Sequence, residues 1–113
     1  MERTALPPSL QRVIDRFVLA FLPERIVLYG SYAKGVNRPE SDVDLLIVTE
    51  LFGDPAVAMR RARQLAADCF PPVDISFATP EEVAGATVTK NPFLASILGS
   101  GILLYQRDPP VNR

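Results

Sequence analysis

The run Leu45-Leu46-Ile47-Val48 is apolar without a break, yet Asp42-Val43-Asp44 stands directly before it. A run of this kind has to be buried, so Asp42 to Val48 is expected to form a strand whose opening end carries two carboxylates. Charge at the mouth of a buried segment is costly unless a cation or hydrogen-bond donors compensate it. Residues two apart on a strand point to the same side with Cα atoms on the order of 6.5 Å apart, so Asp42 and Asp44 face one site. Two hard carboxylates at that spacing suit Mg²⁺, with water and substrate phosphate as the remaining ligands, and a pair of such ions is the arrangement of two-metal phosphoryl transfer.

The residues around this strand alternate between helical and extended patterns. Leu10, Val13, Ile14, Phe17, Val18 and Phe21 recur at helical spacing after Pro7 and Pro8, which predicts an amphipathic helix ending near Pro23. Arg25 to Tyr29 reads as a short buried strand that stops at Gly30, with a turn of helix starting at Ser31. Asp54 can cap a helix that has Pro55 in its first turn and an apolar face of Ala58, Ala62, Leu65, Ala66 and Cys69, closed by Pro71 and Pro72. Val73, Ile75 and Phe77 alternate with Asp74 and Ser76, the period of a strand with two unlike faces. Thr79-Pro80-Glu81-Glu82 looks like a helix start, a further helix runs through Phe93, Ala95, Ile97 and Leu98 to Gly99 or Gly101, and Ile102 to Tyr105 can supply a last strand. One domain over residues 1–106 and a loose tail over 107–113 are expected.

Composition removes several chemistries. The chain has 113 residues, no histidine and one cysteine, Cys69, so it cannot build a Cys/His zinc site, an internal disulfide or a histidine triad. Cys69, between Asp68 and Phe70, reads as a small packing residue. Twelve basic and thirteen acidic residues give a formal charge of −1, which argues against a long nucleic acid as partner. Arg60, Arg61 and Arg63 read as the solvated face of an amphipathic helix. No apolar run approaches a membrane span, and the first residues lack the pattern of a secretory signal, so the cytoplasm is the expected location.

The remaining candidates converge on the two carboxylates. Gly30 and Ser31 come directly off one strand, where a sharp turn exposes backbone N–H groups to phosphate and Ser31 can donate its hydroxyl. Lys34 or Arg38 could neutralise triphosphate charge. Asp74 is the best third carboxylate, because its strand buries Val73, Ile75 and Phe77 on the other side. Gly30 and Gly35 match the spacing of a Walker A loop, but Val36 and Asn37 stand where that motif needs Lys and Ser/Thr, which excludes a P-loop.

Gly30-Ser31-Tyr32-Ala33-Lys34-Gly35, ten residues between Ser31 and Asp42, then Asp42-Val43-Asp44-Leu45, closely resembles the signature of the DNA polymerase beta-like nucleotidyltransferases, in particular their minimal branch. The resemblance implies an α/β fold, a small mixed β-sheet with helices packed mainly on one face. It implies that Gly30 and Ser31 contact the triphosphate, that Asp42 and Asp44 hold two Mg²⁺, and that Asp74 completes the triad. The family often has Arg where this chain has Lys34, so the charge is kept and the planar fork is lost. Minimal members are often encoded with a helical HEPN-domain protein, and some act as antitoxins by adding AMP from ATP to a tyrosine of that partner. The resemblance therefore implies transfer of a nucleoside monophosphate from an NTP to an acceptor hydroxyl, within a hetero-oligomer. Two alternatives remain open from sequence: a small hydroxyl compound as acceptor, or a non-catalytic subunit that neutralises a partner by contact. Retention of all three Asp argues against the last.

Overall fold

A computed structural model describes residues 6–51 and 53–107. The chain runs α1 (Pro8–Phe21), β1 (Arg25–Tyr29), α2 (Ser31–Lys34), β2 (Val43–Val48), α3 (Pro55–Leu65), β3 (Val73–Ala78), α4 (Pro80–Ala84), α5 (Pro92–Ser100) and β4 (Ile102–Gln106). It is a small mixed α/β fold. The four strands form one sheet in the order β3-β2-β1-β4, with β1 antiparallel to both β2 and β4. β2 and β3 run parallel, which requires a crossover, and α3 supplies it.

Strand periodicity sorts the sheet into two faces. Ile26, Leu28, Val43, Leu45, Ile47 and Ile75 pack with Leu10, Val13, Ile14 and Phe17 of α1 and Ala62 of α3. Val27, Leu46, Val48 and Ala78 pack on the opposite face with Leu94 and Ile97 of α5. The two long helices thus share one face, and the shorter α5 covers part of the other. β2 is central, and its residues Val43 and Leu45 to Val48 are all buried. Full burial of an aliphatic side chain of this size contributes about 1.5–3 kcal/mol of transfer free energy. The unbroken apolar run of β2 is the direct consequence of having a core on both sides.

Local chemistry sets the boundaries. Pro8 opens α1, and Leu22 ends it in a left-handed conformation with its N–H bonded to Val18 O at 3.0 Å. Asp54 caps α3 by accepting from Ala56 N at 2.9 Å. Thr79 and Glu82 form a reciprocal capping box at the start of α4. Two expectations need adjusting. β2 begins at Val43, which leaves Asp42 one residue outside the strand. α3 ends at Leu65, whereas the apolar spacing pointed as far as Cys69; Ala66 and Cys69 are buried but lie in the turn that follows. The tail expected over 107–113 lies, beyond Arg107, outside the described residues.

Candidate active site

Register brings two of the sequence candidates, Asp44 and Asp74, into one row with Tyr29. Tyr29 is the Cα partner of Asp44, and Asp44 is the Cα partner of Asp74, so three neighbouring strands each contribute one residue at the same level. Alternation along each strand puts all three on the face that α5 partly covers. Asp42 stands one step before β2, exposed and on the same side as Asp44 by the two-residue period.

Gly30 closes the other flank. Its φ of 75° and ψ of −151° suit glycine, and a Cβ at this position would fall on the carboxylate of Asp44. The glycine is required by that close approach. Ser31 follows as the half-buried first residue of α2. α2 is a single turn of 4 residues, so its macrodipole is weak, and the donors it can offer an anion are its first amides and the Ser31 hydroxyl. Lys34 and Arg38 are both exposed. Arg38 N donates to Ser41 Oγ at 2.8 Å and Ser41 N donates to Arg38 O at 3.0 Å, a closed turn that delivers the chain to Asp42.

The electrostatics are those of crowded anions. Asp44 is held above its ordinary value of 3.8, first by burial, then by the charges of Asp74 and Asp42, and by a hydrogen bond shared with Asp74. Among the described residues the ion pairs are Arg16–Asp68 and Arg25–Glu24, and neither touches this row. Tyr29 is raised above 10.0, mainly by burial, with the Ser76 hydrogen bond opposing and the charges of Asp44 and Asp74 adding to the rise. It therefore carries its proton at neutral pH and can donate.

A divalent cation would relieve the same repulsion that raises Asp44, and carboxylate oxygens are the donors a hard ion takes. Asp44 and Asp74 fit this role as they stand. Among the described residues, however, no three acidic or cysteine side chains are gathered closely enough to hold an ion without adjustment. Asp44 and Asp74 stand side by side in register, and the exposed Asp42 lies beside them.

Two residues of this region were not singled out from sequence. The Tyr29 hydroxyl lies 3.1 Å from Ser76 Oγ, and the Tyr29 ring meets Phe93 of α5 edge-on at 5.9 Å. The available signal was the alternation that puts Ser76 on the face of Asp74; nothing local indicated that Tyr29 would reach it. A recess of about 670 Å³ opens at the opposite end of the sheet, between Phe21, Leu22, Thr49, Val57 and Arg107. It shares no residue with the carboxylate row, where the acidic side chains gather, so the chemistry is sought at the row.

The four-stranded mixed sheet and its helices have the nucleotidyltransferase fold. More particularly, the chain belongs to the nucleotidyltransferase domain family, whose match spans residues 10–93 and takes in the whole row. One similar solved structure is a crystal structure of a toxin–antitoxin with AMP-PNP, 20% identical, with a TM-score of 0.56 over 87% of this chain and 74% of that one. Another is a candidate nucleotidyltransferase from Sulfolobus solfataricus, 18% identical, with a TM-score of 0.55 over 87% of this chain and 78% of that one. Among curated proteins no match is found. No helix among the described residues is long and apolar enough to cross a membrane.

Proposed function

We propose that the protein transfers a nucleoside monophosphate, AMP from ATP, to an acceptor hydroxyl, and that the acceptor is a tyrosine of a helical HEPN-type partner held in a hetero-oligomer. The observation that carries this reading is the row itself: a glycine-serine turn packed onto Asp44, with Asp74 in register beside it. Membership of the nucleotidyltransferase family supports the reaction type, and the likeness to a toxin–antitoxin crystallised with AMP-PNP supports an adenine nucleotide and a toxin–antitoxin setting. Residues 1–106 form the catalytic domain in this reading.

In the proposed mechanism Gly30 and Ser31 bind the β and γ phosphates through backbone and hydroxyl donors, and Lys34 adds charge from the end of α2. Asp42, Asp44 and Asp74 would hold two Mg²⁺, which when bound neutralise triphosphate charge and polarise the reacting oxygens. Asp74, on the exposed edge strand, accepts the proton of the acceptor hydroxyl. The hydroxyl oxygen forms a bond to the α-phosphorus, the bond from that phosphorus to the bridging oxygen breaks, and pyrophosphate leaves. The Asp44–Asp74 contact suits this division, since one carboxylate faces the triphosphate and the other the acceptor.

The test is mass spectrometry of the protein with its co-purified partner after incubation with each NTP, with Mg²⁺ and with EDTA. A gain of one AMP on a partner tyrosine, only with ATP and Mg²⁺, is the expected result. No gain with any NTP would remove the enzymatic reading, and a gain on a small hydroxyl compound instead would remove the partner.

A further inference from the structure

Tyr29 and Ser76 sit on strands that are not neighbours. β2 lies between β1 and β3, so the two backbones are two strand spacings apart, about 9–10 Å. Only a side chain as long as tyrosine spans most of that distance, and its hydroxyl closes the gap with a 3.1 Å bond to Ser76 Oγ. In doing so the ring passes over β2 at the level of its partner Asp44, and it packs against the cluster that includes Leu46, the partner of Ser76. Phe93 of α5 holds the ring edge-on from above.

β3 is an edge strand with β2 as its one neighbour, and Asp74 is exposed on it. Asp44 and Asp74 are register partners, and when both carboxylates are charged their repulsion favours displacement of the edge strand and its carboxylate from the row. The bond from Tyr29 to Ser76 opposes that displacement, because it fastens β3 to β1 two residues beyond Asp74 on the same face.

We infer that Tyr29 and Ser76 are positioning residues: their hydrogen bond across β2 holds Asp74 at the distance from Asp44 at which one divalent cation can be shared. The inference rests on the reading of the row as a metal-dependent nucleotidyl-transfer site, and it adds two positioning residues to that site. Neither residue touches substrate; both act through Asp74.

The test uses the full chain and Mn²⁺ as probe, titrated in the presence of AMP-PNP and followed by electron spin resonance. Tyr29→Phe keeps the ring and removes the hydroxyl; Ser76→Ala removes the other partner; Ser76→Thr keeps a hydroxyl. Loss of one neutral hydrogen bond corresponds to about 3- to 10-fold weaker Mn²⁺ binding. That loss is expected in Tyr29→Phe and in Ser76→Ala, with no further loss in the double variant and recovery in Ser76→Thr. AMP-PNP affinity in EDTA and the circular dichroism spectrum are expected to stay at the wild-type level, which a merely structural role would not require. Unchanged Mn²⁺ affinity in both single variants overturns the inference, as do additive losses in the double variant. If Tyr29→Phe fails to fold, Ser76→Ala against Ser76→Thr decides alone. Absence of Mn²⁺ binding by the wild type overturns the parent reading and the inference with it.

Discussion

At Gly30 a backbone with positive φ and the carboxylate of Asp44 compete for the same space. Gly30→Ala is expected to lower stability by about 1–3 kcal/mol and to displace Asp44, so that Mg²⁺-dependent NTP binding is lost along with it; calorimetry and chemical denaturation together check this. Ser31→Ala removes one donor to a charged phosphate, about 1.5–3 kcal/mol, and should weaken transfer in a protein whose circular dichroism is unchanged. Asp74→Asn has a sharper signature. Removing one of two like charges in contact should raise the melting temperature, while the transfer rate falls by about 10²-fold or more and NTP affinity persists. The double change Asp42→Asn with Asp44→Asn should impair binding as well. Near-normal transfer by Asp74→Asn would place the third carboxylate elsewhere. Asp44 also gives a pH dependence. Its raised value means that folding favours the protonated form, so its contribution to stability is complete below 3.8 and is lost as pH rises through the raised value. In the proposed mechanism a cation would replace that proton. Stabilisation by Mg²⁺ with AMP-PNP in thermal melts is therefore expected to be small under acid conditions and to grow towards neutrality, and a pH-independent gain would remove Asp44 from the ion's ligands.

At the scale of single elements, chain-local chemistry was legible where it acts within a turn or two. Asp54 and Thr79 announced helix starts because a cap is a side chain bonding an amide two or three residues on, and both bonds are formed. The end of α3 was not legible for the opposite reason. Ala66 and Cys69 keep the apolar spacing because they are buried against α1 and the sheet, and Cys69 Sγ lies 3.2 Å from Ser9 Oγ, but the backbone has already left the helix. Periodicity reports burial; it does not report which backbone conformation delivers it. α3 packs on the face away from the carboxylates, so its cap offers a control. Asp54→Ala should cost about 1 kcal/mol of stability and leave transfer unchanged; denaturant titration and the partner-modification assay test the two halves separately.

For the molecule as a whole, the carboxylate pair at the mouth of β2 and the glycine-serine turn were readable from spacing, because each lies within one segment of the chain. The strand order was not, nor was the parallel register that sets Asp74 beside Asp44, since both depend on pairings between segments distant in the sequence, and the reach of Tyr29 to Ser76 depends on that register in turn. What guards the register is the other side of β3. A slip by one residue would send Asp74 into the core beside α1 and α3 and turn Val73 or Ile75 out to the site. Ile75 is buried, and Phe77 meets Phe21 edge-on at 5.4 Å, so the slip is resisted by oil and not by chemistry. The hydrophobic face thus serves as the alignment gauge of the acidic one: a change in the core, far from any substrate, can mis-set the distance between two carboxylates that it never touches.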